Sequence, residues 1–267
     1  KGYFFVKNLR NIVITGASSG LGAALARHYA RDSVTLHLTG RNEARLSQVA
    51  FMCRERGASV HFQALDVTDA AAMEHWLLAA DKISPIDLVI ANAGISAGIG
   101  GGGESAQQTR AIFKTNVDGV INSIHPLIAP MVSRGRGHIA IMSSLAGICA
   151  LPSSPAYSAS KACVRYWGES LRGVLAPTSV SVSVICPGFI KTPMTDVNPY
   201  YMPFMMNADE AASRIARGLA QNRIRIAFPR RLYWPLWLLS CLPPGLLSPL
   251  LSLLPEKPSA QSGLNDV

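Results

Sequence analysis

The chain has 267 residues, 49% of them hydrophobic and only 15% charged, with a formal net charge of +9. That length bounds it to one large domain or two small ones, and the composition excludes a disordered chain. Its five cysteines form no CxxC pair, which argues against structural zinc and a disulfide framework and points to a reducing, cytoplasmic setting.

In chain order, short apolar runs alternate with helical patterns. A strand at 11–15 leads into a helix at 20–31, one at 34–39 into a helix at 43–56, and one at 59–64 into a helix at 70–82. A strand at 86–91 precedes a long helix at 107–133, where His125 before Pro126 marks an end or a bend. A strand at 137–142 precedes a helix at 155–175, and one at 179–185 a helix at 208–221, before a last strand at 224–228. The strands are continuously apolar and β-branched, as strands covered on both faces are. The predicted fold class is α/β, a three-layer doubly wound parallel sheet of about seven strands. Ligands bind such sheets outside the carboxyl ends of the strands. Residues 8–228 make the predicted domain, 229–255 an apolar extension and 256–267 a disordered end. The apolar patch at 3–6 is too short for a secretory signal. The glycine run at 98–103 reads either as a surface loop or as a hinge beside the ligand.

Strand one ends in Thr15-Gly-Ala-Ser-Ser-Gly-Leu-Gly22, directly before a helical pattern. Gly16 and Gly20 permit a tight turn, and Gly22 lets the helix pack close to the sheet. With Ser18, Ser19 and Leu21 they form a candidate cofactor turn whose backbone N–H groups face an anion, best a pyrophosphate. The turn is not a phosphate-binding loop of the GKS/T type, because no such triplet follows. After strand two comes Thr39-Gly40-Arg41-Asn42. An acid at this place would hold the ribose 2′-hydroxyl of NAD. Gly40 and the Arg41 guanidinium suit a 2′-phosphate instead, with Ser18 as second contact, so NADP(H) is preferred over NAD(H). The competing reading of Arg41 is a solvated residue at a helix start.

Tyr157-Ser-Ala-Ser-Lys161 places a phenol and an ammonium on one helix face. The ammonium is expected to lower the phenol pKa from about 10, toward proton exchange near neutral pH. Ser144 stands at the end of strand five, and Asn116 lies inside a long apolar helix where an asparagine is unexpected. With Asp66-Val67, Asn92-Ala-Gly94 and Pro187-Gly188, this ordered set resembles the short-chain dehydrogenase/reductase family over roughly residues 8–228.

The resemblance implies a Rossmann-like sheet, a nicotinamide cofactor, carbonyl/alcohol interconversion without a metal, and a homodimer or homotetramer built on the two long helices. It implies Tyr157 as general acid and base, Lys161 as its partner and holder of the nicotinamide ribose, and Ser144 as donor to the substrate oxygen. Asn116 would hold a water linking Lys161 to solvent. Asp66 and Val67 would meet adenine, and Asn92, Ala93 and Gly94 would line the cofactor. Pro187-Gly188 would turn past the nicotinamide, with Ile190 and Thr192 holding its carboxamide. Ala91 departs from the asparagine common at its place. A non-catalytic nucleotide-binding sensor or scaffold on the same fold is the alternative function, against which the complete Ser-Tyr-Lys-Asn set argues.

Residues 194–206 carry four methionines and three aromatics, an adaptable apolar wall that suggests a lipid-like, isoprenoid or steroid-like substrate. The same residues would equally serve to pack a lid. From 211 to 255 there are six arginines and no acid, and residues 232–255 hold no charge at all. No nucleic-acid motif accompanies this charge, so nucleic acid is not an expected partner. Five prolines argue against one straight spanning helix. Two short helical pieces separated near Pro243-Pro244-Gly245 are expected, with Tyr233, Trp234 and Trp237 at headgroup level and Arg230 and Arg231 beside phosphates, at the inner face of a membrane. A subunit contact or a cover for the active site is the other reading of this tail.

Overall fold

The computed structural model describes residues 9–99, 103–251 and 257. The middle of the expected hinge at 98–103, the end of the apolar extension and all of 256–267 except Lys257 lie outside the described residues.

The elements follow in the order β1 (Asn11–Thr15), α1 (Gly20–Tyr29), β2 (Thr35–Gly40), α2 (Glu43–Arg54), β3 (Ser59–Ala64), α3 (Ala70–Ile83) and β4 (Leu88–Ala91). Next come α4 (Ala106–Phe113), a π turn at Lys114–Asp118, α5 (Gly119–Ser133), β5 (Gly137–Met142), a 3-10 turn at Leu145–Gly147 and α6 (Pro155–Leu175). The chain continues through β6 (Val180–Pro187), β7 (Ile190–Lys191), α7 (Pro193–Asp196), β8 (Met206–Asn207), α8 (Ala208–Ala220), β9 (Arg225–Phe228), α9 (Arg230–Ser240) and α10 (Pro244–Leu251). Seven strands form one parallel sheet in the order β3-β2-β1-β4-β5-β6-β9, as expected for the fold class. A separate two-stranded ribbon pairs β7 with β8.

Both faces of the sheet are covered, which is why its strands read as continuous apolar runs. Ile12, Ile14, Leu36, Leu38 and Ile90 pack against α1, α2 and α8 on one face. Val13, Val89, Ile139 and Ile141 pack against α3, α5 and α6 on the other. Helix starts are fixed locally. Asn42 accepts the Arg45 N–H at 2.9 Å, Asp69 the Ala72 N–H at 3.0 Å and Ser105 the Gln108 N–H at 3.1 Å.

Two expectations for the helix at 107–133 need correction. It is two helices joined by a π turn, because the buried Asn116 side chain is bonded outside the helix and the turn seats one extra residue there. Of the end or bend expected at Pro126, the end is excluded, because α5 runs through Pro126 and Pro130 to Ser133. Burial of Val120, Ile124, Leu127 and Met131 along one side outweighs the missing hydrogen bonds. The tail forms two short helices, α9 and α10, separated near Pro243 as expected, and no helix of the described residues is long and apolar enough to cross a membrane.

Candidate active site

Strand order reverses between β1 and β4, and the chain opens a cleft at the carboxyl ends there. Gly16, Ser18, Ser19, Gly20, Leu21 and Gly22 line it from the β1–α1 turn, and Arg41 from the end of β2. Asp66 and Val67 line it after β3, and Asn92, Ala93 and Gly94 after β4. Ser144, Tyr157 and Lys161 join them, as do Pro187, Gly188, Ile190 and Thr192. Asn116 is the exception among the predicted site residues. It is fully buried behind the cleft wall.

The turn after β1 needs its glycines. Gly16 has φ +64°, and a Cβ at Gly22 would lie 2.1 Å from the Gly16 carbonyl oxygen. Asn92 clamps this turn, donating through Nδ2 to the carbonyls of Thr15 at 3.0 Å and Gly16 at 3.2 Å. Thr15 Oγ1 accepts in return from the Asn92 and Ala93 N–H groups, each at 3.1 Å. No side chain caps the start of α1, so its first N–H groups remain for a ligand. At Gly40 a Cβ would meet Ser18 Oγ at 3.0 Å, so Ser18 fills the space beside Gly40, and Arg41 is exposed on the cleft rim. An uncapped helix start and a floor without Cβ atoms fit the diphosphate of a dinucleotide, with the Arg41 guanidinium farther along the rim at the end of β2.

At the other side, Tyr157 and Lys161 project from the first turns of α6, which Pro155 starts. Ser144 Oγ accepts the Ala146 N–H at 3.1 Å, which fixes it at the mouth of the 3-10 turn, where it lines the cleft with Tyr157 and lies near enough to act on the phenol. Lys161 Nζ donates to the Met142 carbonyl at 2.9 Å and lies 5.8 Å from the centre of the Tyr157 ring. Burial holds the Lys161 ammonium down to about 8, while the nearby Cys186 thiol acts the other way. Burial also pushes the Tyr157 phenol up from its ordinary value, and the Ser144 hydrogen bond opposes this. The expected lowering of the phenol by Lys161 is therefore not met in this arrangement. Desolvation of the hydroxyl outweighs an ammonium that sits over the ring and is bonded elsewhere.

Asn116 donates through Nδ2 to the Ile95 carbonyl at 2.9 Å and to Ser160 Oγ at 3.0 Å, and its Oδ1 accepts the Ile95 N–H at 2.8 Å. Both amide hydrogens are thus engaged with protein, leaving one lone pair of Oδ1 for the expected water. Three further residues come to the site without a signal in the sequence. Glu104 accepts the Ala156 N–H at 2.9 Å, near the start of α6. Lys257 donates to Ser96 Oγ, and its Nζ lies 5.3 Å from the centre of the Tyr157 ring. Burial lowers the Lys257 ammonium to about 8. A lysine in a polar tail and a serine in a loop carry no spacing that would mark them.

The family model for short chain dehydrogenases matches residues 10–199. The chain belongs to the short-chain dehydrogenase/reductase family. It is 37% identical over 235 residues to an oxidoreductase of Myxococcus xanthus, covering 88% of this chain and 93% of that one. It is 32% identical over 188 residues to the ketoacyl reductase HetN of a Nostoc species, covering 70% of this chain and 66% of the relative. A short-chain dehydrogenase from Sphingobium yanoikuyae, solved with NADPH, superposes with a TM-score of 0.77 at 25% identity over 95% of this chain and 99% of that one. A family member from Burkholderia phymatum, solved with NAD, gives 0.79 at 25% identity over 98% and 99%. The chain is accordingly an oxidoreductase of this family with a Rossmann-like fold, and its cofactor is a nicotinamide dinucleotide.

Proposed function

We propose that this enzyme is an NADP(H)-dependent carbonyl reductase acting on an apolar substrate, with Tyr157 as its proton donor. The carrying observation is the Ser144–Tyr157 hydroxyl pair beside Lys161 in the cleft that also holds the glycine turn. A bound nicotinamide supplies or takes the hydride. Ser144 and Tyr157 donate hydrogen bonds to the carbonyl oxygen on which negative charge develops. Tyr157 then gives up its proton to that oxygen, and takes one back in the reverse direction. Burial, which raises its pKa, keeps the phenol in the protonated form that donates. Lys161 holds the ribose hydroxyls and the local positive charge. Asn116 acts as a positioning residue, fixing the 95 loop and Ser160 beneath Lys161.

The preference for NADP(H) is supported by Gly40 where an acid would stand, by Ser18 beside it, and by Arg41 on the rim. The apolar substrate is supported by Ile190, Pro193 and Met194 in the cleft wall and by exposed Tyr201, Phe204 and Met205 in the segment beyond. We further place the enzyme in a homodimer or homotetramer and the tail at 230–255 against a membrane surface. The test follows NADPH oxidation over ketones of increasing chain length, with and without detergent. NADPH is expected to exceed NADH in kcat/KM, and Arg41→Asp to reverse the order. A starting enzyme that prefers NADH, or that prefers small polar ketones, rejects the corresponding half of the proposal. Cofactor binding with no turnover, and no effect of Tyr157→Phe, would favour the sensor reading.

A further inference from the structure

The tail helix α9 has two unlike faces. Leu232, Tyr233 and Leu236 pack inward on Leu145 and Ile148, directly behind the Ser144 turn. Trp234, Trp237 and Leu238 follow the i, i+3, i+4 spacing of the other face and are 56%, 42% and 65% exposed. No residue of α9 is fully buried, its first turn holds Arg230 and Arg231 with no acid, and no side chain caps it.

Beside that start lies a bowl lined by Arg217, Arg223, Arg230 and Arg231, none of which makes a side-chain hydrogen bond or ion pair among the described residues. Their neighbours Arg214 and Arg225 are paired, with Glu210 at 3.0 Å and Glu169 at 2.6 Å, so the available carboxylates are already in use. Unpaired guanidinium groups gathered at the positive end of a helix dipole are matched by anions. Phe204 and Met205 join the same bowl, at 49% and 40% exposure. The next residue, Met206, pairs with Ile190 in the β7–β8 ribbon, and Ile190 lines the catalytic cleft. The arginines, Trp234 and the Phe204–Met205 tip thus line one bowl, Trp237 stands edge-on to Trp234, and the β7–β8 ribbon joins the wall of the bowl to that of the cleft. A second copy of the chain is a poor match. A two-fold contact would set this arginine-rich patch against the same patch of the second copy, where Glu210, the one carboxylate lining the bowl, is already paired with Arg214.

We infer that the arginine bowl, the outer face of α9 and the Phe204–Met205 tip form a docking surface for an anionic phospholipid bilayer, beside which the catalytic cleft opens. The inference rests on the membrane contact and apolar substrate proposed above and gives them residues, a lipid charge and a route. Phosphates would meet the guanidinium groups while the tryptophans and Phe204 enter the interface.

The test is sedimentation of the full chain with vesicles of phosphatidylcholine alone, and of phosphatidylcholine with phosphatidylglycerol, at low and high salt. Binding is expected to the anionic vesicles and to weaken with salt. Each arginine removed should weaken it roughly fivefold, so Arg230→Gln with Arg231→Gln by about twenty-five-fold. Trp234→Ser with Trp237→Ser should weaken binding independently of salt. NADPH binding, read by its fluorescence, should be unchanged in both double variants. No vesicle binding, equal binding to both vesicle types, release by inorganic phosphate at matched ionic strength, or a changed subunit number in the arginine variant would each overturn the inference. A failure to bind NADPH in the unsubstituted protein would instead sink the proposed function and leave the vesicle result standing.

Discussion

At the scale of single residues, Tyr157 and Lys161 carry opposite consequences of one cause. Burial favours the neutral form of both, so the phenol is raised and the ammonium falls to about 8. The reductive rate should therefore hold steady through neutral pH and decline above about 8, as Lys161 loses its proton while Tyr157 keeps its own. A pH–kcat profile checks this, and a rate still rising at pH 9 to 10 would contradict it. Tyr157→Phe should lower kcat by about 10²–10⁴-fold and leave NADPH binding intact. His138 gives a second, purely structural titration. Its Nε2 lies 2.9 Å from Ser183 Oγ in the core, and burial lowers its pKa to about 4. Between pH 4 and 6.5 the unfolded chain binds the proton and the folded chain does not, so stability rises with pH across that window. His138 is then expected to remove roughly 3 kcal/mol as pH falls through it. Urea midpoints at pH 7 and pH 4.5 measure the loss, which His138→Gln should diminish.

At the scale of elements, the π turn between α4 and α5 exists to carry Asn116. The strong apolar periodicity around 107–133 was legible as helix, but the extra residue in the turn was not. Its cause is a partner, Ile95, that is distant in sequence. Asn116→Ala would leave the Ile95 N–H and C=O without partners in a buried place, at about 1–3 kcal/mol for each group. A lower melting temperature, together with faster hydrogen exchange at Ile95, is the expected result, and unchanged exchange there would refute the role. The β7–β8 ribbon was illegible for a similar reason. Two residues per strand carry no period, and their pairing is set by the β6 end and the start of α8.

At the scale of the whole molecule, a chain of charged groups ties the tail to the 3-10 turn that follows Ser144. Tyr233 Oη on α9 accepts from Arg225 at 3.0 Å, Arg225 pairs with Glu169, Glu169 also meets Arg165 at 3.3 Å, and Arg165 donates to the Gly147 carbonyl at 2.9 Å. Removing Glu169 would leave two partly buried guanidinium groups without their carboxylate, so Glu169→Gln should destabilise the fold by more than an exposed pair would. A thermal melt compared with that of Glu210→Gln, whose pair with Arg214 is half-exposed, makes the contrast. The proposed dimer engages the long helices, where Tyr166 and Val174 are 63% and 71% exposed. Tyr166→Glu should lower the subunit number seen by sedimentation velocity.

The order and type of the main elements could be read along the chain, because apolar period and glycine punctuation are local and the sheet is covered on both faces. The candidate cofactor turn, Arg41 and the Tyr157–Lys161 pair were legible too, because their placement follows from spacing within a single turn or helix, whereas the raised Tyr157 phenol follows from burial. Packing alone set where Asn116 directs its amide, brought Lys257 to the Tyr157 ring, and gathered arginines from α8, β9 and α9 into one bowl. Each of these depends on contacts between segments far apart along the chain, and on desolvation, which is a property of the packed interior.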